Sequence, residues 1–142
     1  HLSIRRQRQM CIRDRENTRH PTTFSNAVGW ILERSFGPEA PPRLVELAGS
    51  RMLETRPSVL YGDFLACDLF DISDQLTEIR QPALVLHGSE DRMTPPRLSQ
   101  FLAGSLPNAR LASVPGAGHM LMLERPEAVA AALQSFLNDQ AA

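Results

Sequence analysis

The spacing of apolar residues changes along the chain and divides it into two regions. Apolar side chains recur at helical spacing from Phe24 to Phe36, and similar patterns follow Pro41-Pro42 and Pro57. Asp71 is predicted to cap one further short turn. Residues 16–80 are therefore predicted to form several short helices without a strand, an arrangement that suits a lid better than a core.

The pattern after residue 80 differs, since it combines buried strands with helices. Ala83–Leu86 is a continuous apolar run, which is typical of a strand buried in a parallel sheet. Pro95-Pro96 opens a helix, a second strand is predicted over 109–114, and Pro126 is placed to start the last helix. The order strand, helix, strand, helix predicts an α/β fold with a β-α-β-α unit of a parallel sheet.

Two groups with acid–base chemistry follow the two predicted strands. Asp91 lies in the segment Gly88–Asp91 that follows the first predicted strand, and His119 lies five residues beyond Val114, where the second ends. Because parallel strands end at the same edge of a sheet, the two side chains are expected to meet there. A carboxylate facing an imidazole N–H fixes the imidazole tautomer and stabilises the imidazolium that forms on proton transfer. The predicted distance from the Asp91 carboxylate to Nδ1 of His119 is about 2.6–3.2 Å.

Three other interpretations of these residues stay open at the level of sequence. Glu90 is the adjacent competitor for the role of the acid. His87, Asp91 and His119 could together form a site with two histidines and a carboxylate for iron. A strand-end aspartate and a loop histidine can also be structural, with no chemistry attached.

Both segments resemble the α/β-hydrolase fold. Residues 79–95, IRQPALVLHGSEDRMTP, resemble its seventh strand and acid loop, and residues 115–127, PGAGHMLMLERPE, resemble its catalytic histidine loop and last helix. The resemblance implies that Asp91 is the catalytic acid and that His119 is the general base. It also implies that residues 16–80 correspond to the helical cap and residues 81–142 to the C-terminal part of the hydrolase core.

The resemblance implies a serine hydrolase that cleaves esters, lactones or related small-molecule acyl substrates without a cofactor or metal. The family's nucleophile lies in a G-x-S-x-G motif, which does not occur in this sequence. The nucleophile is therefore expected upstream, and this fragment is expected to be inactive by itself. Alternatives on the same fold are a dehalogenase, an epoxide hydrolase, a haloperoxidase or a non-catalytic receptor.

The first fifteen residues have a different character from the rest. They contain five of the 15 basic residues and no periodic apolar face, and residues 5–15 resemble the translation of a transposon-based sequencing adapter. Residues 1–15 are therefore predicted to be an adapter-derived disordered tail outside the fold. Without them the formal charge changes from −1 to −5.

Composition narrows the possible partners and compartment. The chain of 142 residues is 42% hydrophobic and 22% charged, as in globular proteins. The small net charge gives no indication of a nucleic-acid partner, and no apolar run approaches the length of a membrane span. Two cysteines, Cys11 and Cys67, do not suit a disulfide scaffold, and they are consistent with a reducing, cytoplasmic location.

Overall fold

The computed structural model describes residues 21–141, and the predicted tail over residues 1–15 lies outside this range. Three helices come first, followed by a 3-10 helix and then by two strands that alternate with helices. In chain order the elements are α1 (Pro21–Ser35), α2 (Pro42–Leu53), α3 (Pro57–Leu69), the 3-10 helix (Ser73–Glu78), β1 (Ala83–Gly88), α4 (Pro96–Ser105), β2 (Ala109–Val114), α5 (Leu121–Glu124) and α6 (Pro126–Ala141).

The described chain divides into two compact units. The first contains residues 21–33 and 45–71, and the second contains residues 34–44 and 72–141. In the first unit, α1 buries one face, formed by Phe24, Ala27, Val28 and Ile31. These residues are three, four and seven positions apart from Phe24, the spacing that places side chains on one side of a helix.

The second unit is built around a pair of parallel strands. β1 pairs with β2 in a register that aligns Ala83 with Ala109 and Gly88 with Val114. Helix α4 connects the two strands, which gives the predicted βαβ arrangement. Because the first residues of the two strands are paired and so are the last, the carboxyl ends lie side by side. The loops that follow the strands therefore start from the same edge of the sheet.

A small apolar cluster supports this edge. Val114, Ala117 and Leu121 are buried, and the half-buried Leu86 and Val129 pack against them. Further along α6 the side chains are less covered, because Leu133 and Leu137 are exposed although they follow the half-buried Val129 at helical spacing. Two strands offer too little surface to cover the whole apolar face of that helix.

Two local features differ from the sequence predictions. The turn expected after Asp71 is a 3-10 helix that starts at Ser73, and its N-cap position is occupied by Ile72 without a side-chain hydrogen bond. Helix α5 has only four residues and was not predicted, because it carries too few positions to show a periodic pattern.

Candidate active site

Asp91 and His119 lie together at the carboxyl edge of the two strands. Oδ2 of Asp91 is 2.9 Å from Nδ1 of His119, within the range expected from the sequence. The carboxylate is almost completely buried, with 4% of the side chain exposed, whereas the imidazole is 38% exposed. The pair therefore combines a shielded acid with a base that solvent or a ligand can reach.

Backbone hydrogen bonds hold the two loops against each other. The N–H of Ser89 donates to the carbonyl of Val114 at 3.0 Å, and the N–H of Glu90 donates to the carbonyl of Ala117 at 2.9 Å. Gly88 makes this approach possible, because a Cβ at that position would lie 2.2 Å from the carbonyl oxygens of Ala117 and Gly118. The backbone hydrogen bonds that join the two strands thus continue into the loops that carry the acid and the base.

Four hydrogen bonds fix the carboxylate of Asp91. Oδ1 accepts from the backbone N–H of Met93 at 2.9 Å and of Thr94 at 2.8 Å. Oδ2 accepts from the hydroxyl of Thr94 at 2.8 Å as well as from the ring of His119. Burial by itself would raise the pKa of Asp91, but the hydrogen bonds from His119 and Thr94, together with attraction to the imidazole, hold this pKa below its ordinary value of 3.8.

The contacts of His119 define its tautomer. A carboxylate can only accept a hydrogen bond, so Nδ1 of His119 carries the hydrogen and donates it toward Asp91. Nδ1 also lies 3.0 Å from Oγ1 of Thr94. Within residues 21–141 both of these ring contacts are made through Nδ1, which leaves the lone pair of Nε2 available to accept a proton.

The loop that carries His119 is anchored from a distant part of the sequence. Glu124 is buried, and its Oε1 accepts from the backbone N–H of Gly118 at 3.0 Å while its Oε2 accepts from that of Gly37 at 2.9 Å. The N–H of Met120 donates to the carbonyl of Ser35 at 2.9 Å. His119 is therefore flanked on both sides by residues whose backbone is tied to the segment 35–37.

The alternative site residues lie apart from this pair. Glu90 is exposed, and its Oε1 accepts from the hydroxyl of Ser89 at 3.3 Å. His87 is buried, with Nδ1 3.1 Å from the carbonyl oxygen of Gly88. Among residues 21–141 no three His, Cys, Asp or Glu side chains are grouped as the ligands of a metal would be. The structure brings Asp91, and not Glu90 or His87, to the imidazole of His119.

Sequence reasoning missed two residues of the site, Thr94 and Glu124. Thr94 follows Asp91 by three positions, a spacing at which a hydroxyl and a backbone N–H can both return to an aspartate side chain. That spacing is a usable signal. Glu124 carries no local signal, because one of its two donors is 87 positions away in the sequence.

Comparison with known proteins identifies relatives of the chain. The sequence profile of the alpha/beta hydrolase family matches residues 6–132. Polyketide synthase ThaQ of Burkholderia thailandensis is 33% identical over 116 residues, which cover 76% of this chain and 6% of the synthase. The family match extends through both loops that carry the candidate site.

Two solved structures share the architecture. The structure of a thermophilic esterase is 32% identical, with a TM-score of 0.71 over 81% of this chain and 46% of the esterase. The enol-lactonase from Burkholderia xenovorans LB400 is 22% identical, with a TM-score of 0.82 over 92% of this chain and 50% of the lactonase. The chain thus spans about half the length of the solved relatives. Within residues 21–141 no helix has the length and apolar character needed to cross a membrane.

Proposed function

The chain belongs to the alpha/beta hydrolase family, and on that premise we propose that it supplies the acid and the base of a hydrolase that cleaves esters, lactones or related acyl compounds. Asp91 is the acid and His119 is the base in this proposal. The observation that carries it is the distance of 2.9 Å from Oδ2 of Asp91 to Nδ1 of His119, with the carboxylate buried and the ring accessible.

The proposed mechanism starts from the tautomer of His119. With hydrogen on Nδ1, Nε2 removes the proton from a serine hydroxyl while the serine oxygen bonds to the carbonyl carbon of the substrate. The imidazolium that forms is stabilised by the ionised Asp91, whose lowered pKa keeps the carboxylate charged at neutral pH. Nε2–H then protonates the leaving oxygen as its bond to the acyl carbon breaks.

The second half of the proposed reaction repeats these proton transfers with water. Nε2 removes a proton from water as the water oxygen bonds to the acyl carbon, and the serine oxygen then leaves with that proton. The products are a carboxylic acid and the free serine. Neither half of the reaction changes an oxidation state, and water is the co-reactant that the second half consumes.

The serine itself is proposed to lie in a part of the protein outside these 142 residues. The sequence contains no G-x-S-x-G motif, and the chain spans about half the length of its solved relatives. The acid and histidine follow the nucleophile in the chain order of this family. The resulting prediction is that the 142-residue chain by itself does not turn over substrate.

The test uses the complete protein that contains this chain, with p-nitrophenyl acetate and butyrate as substrates. His119→Ala and Asp91→Asn are expected to remove most of the hydrolysis, and Glu90→Gln is the matched control because it neutralises the adjacent exposed carboxylate. A fluorophosphonate probe is expected to label the serine. Hydrolysis that survives His119→Ala, or equal losses in Glu90→Gln and Asp91→Asn at equal folded content, would overturn the proposal.

A further inference from the structure

Thr94 contacts both members of the candidate pair with one oxygen atom. Its Oγ1 lies 2.8 Å from Oδ2 of Asp91 and 3.0 Å from Nδ1 of His119. Since Oδ2 and Nδ1 are themselves 2.9 Å apart, the three atoms form a nearly equilateral triangle. The hydroxyl is therefore a third member of the acid–base contact and not only a neighbour of the acid.

The hydrogen atoms can occupy this triangle in one consistent way. The carboxylate only accepts, so the single hydroxyl hydrogen of Thr94 is donated to Oδ2 of Asp91. The lone pairs of Oγ1 then face Nδ1 of His119, whose hydrogen is shared between Oγ1 and Oδ2. The opposite arrangement, with the hydroxyl donating to a bare Nδ1, would place two lone pairs 2.9 Å apart without a hydrogen between them.

The main chain places the hydroxyl before any ligand binds. The backbone N–H of Thr94 donates to Oδ1 of Asp91 at 2.8 Å, and its hydroxyl donates to Oδ2. Thr94 thus binds both oxygens of one carboxylate. Pro95 follows and restricts Thr94 to an extended conformation. A β-branched side chain on a fixed backbone has few rotamers, and the oxygen position is accordingly well defined.

We propose that Thr94 is a positioning residue, which holds the imidazole of His119 in the Nδ1–H tautomer and in one ring orientation through its shared contact with Asp91. The inference rests on the proposed function, because a fixed direction of the Nε2 lone pair matters when His119 acts as the general base. The hydroxyl is the group required, and the methyl group of Thr94 is not.

Two variants separate the hydroxyl from the rest of the side chain. Thr94→Val keeps the shape and loses the hydroxyl, whereas Thr94→Ser keeps the hydroxyl and loses the methyl group. In the complete protein, Thr94→Val is expected to lower kcat for p-nitrophenyl acetate by about tenfold, the effect of one lost hydrogen bond to a charged group. KM is expected to stay the same, and Thr94→Ser is expected to restore most of kcat. Thr94→Ala is a second variant without the hydroxyl.

A spectroscopic measurement tests the contact between Thr94 and His119 without an activity assay. The Nδ1–H proton of His119 is expected to give a sharp low-field NMR signal in the wild type and in Thr94→Ser. In Thr94→Val faster exchange with water is expected to broaden it.

The two proposals fail in different ways. A wild-type protein with no hydrolysis, or one whose hydrolysis survives His119→Ala, overturns the proposed function, and the NMR signal then decides the role of Thr94. An active protein in which His119→Ala is dead but Thr94→Val has normal kcat and a sharp signal overturns the inference alone. Loss in Thr94→Ser together with normal behaviour of Thr94→Val would show that the methyl group matters through packing, and this also overturns it.

Discussion

The carboxylate of Glu124 accepts a hydrogen bond from the backbone N–H of Gly118, the residue directly before His119. Its other oxygen accepts from the N–H of Gly37. One buried side chain therefore satisfies two backbone donors from segments that are far apart in sequence, and it ties the histidine loop to the segment that follows α1. This link fixes the backbone directly before His119, whereas Asp91 and Thr94 contact its ring.

Glu124→Gln is predicted to destabilise the chain by about 1–3 kcal/mol, the cost of leaving a buried donor without an acceptor. Glutamine has one acceptor oxygen, so either Gly37 or Gly118 would face an NH₂ group. Urea unfolding measures the change in the free energy of unfolding. Glu127→Gln, an exposed change two residues after Arg125 in the first turn of α6, is the control. Equal stability of the two variants would contradict the prediction.

Gly118→Ala is predicted to destabilise the chain by about 1–3 kcal/mol through overpacking. The added Cβ would lie 2.5 Å from the backbone nitrogen of Gly37 and 2.6 Å from the carbonyl carbon of Phe36, and neither atom can move independently of its chain. Gly104→Ala is the matched control in α4, where a Cβ would meet nothing within 4 Å. Alanine there is expected to stabilise the helix by about 0.5–1 kcal/mol. Thermal unfolding of both variants tests whether the first substitution lowers the stability and the second raises it.

Asp91→Asn is predicted to reverse the tautomer of His119. The backbone N–H groups of Met93 and Thr94 require an acceptor at the position of Oδ1, which places the amide oxygen there and the NH₂ group beside Nδ1 of the imidazole. The NH₂ group then donates to Nδ1, and the hydrogen moves to Nε2. Nitrogen-15 NMR of the histidine ring distinguishes the two tautomers. A loss in kcat of about 10⁴-fold is expected in the complete protein, and a ring that stays Nδ1–H would contradict this account.

The stability contributed by Asp91 is predicted to depend on pH. Its pKa in the folded chain lies below the ordinary value of 3.8 expected for the unfolded chain, so the ionised group favours folding. That contribution is fully present above about pH 5, declines as the pH falls below about 4, and is lost once the pH has passed through the folded pKa. The difference in the free energy of unfolding between wild type and Asp91→Ala should therefore shrink toward low pH. A difference that stays constant down to pH 3, about one unit below the ordinary value, would contradict the prediction.

Sequence patterns predicted correctly those features that depend on residues close together in the sequence. β2 spans the predicted residues, α6 starts at the predicted Pro126, and the family resemblance predicted from the two loops is confirmed. Asp91 and His119 were paired correctly in space because parallel strands that are adjacent in a βαβ unit must end at one edge. The catalytic role of the pair stays a prediction.

The rest of the site depends on contacts that no local pattern contains. Glu124 is one example, since one of the two backbone N–H groups that it accepts from belongs to Gly37, 87 positions away. Leu133 and Leu137 are exposed for a related reason. A helical pattern indicates which face of a helix is apolar, but it does not indicate how much of that face other elements cover.

Two of the contacts that hold His119 and its loop close chain loops of different size. The contact with Asp91 joins residues 28 positions apart, whereas the contact between Gly37 and Glu124 joins residues 87 positions apart. Closing the longer loop costs about 1 kcal/mol more in chain entropy. Loop-closure entropy therefore favours the contact between the acid and the base, which closes within its own βαβ unit, over the anchoring contact with Gly37.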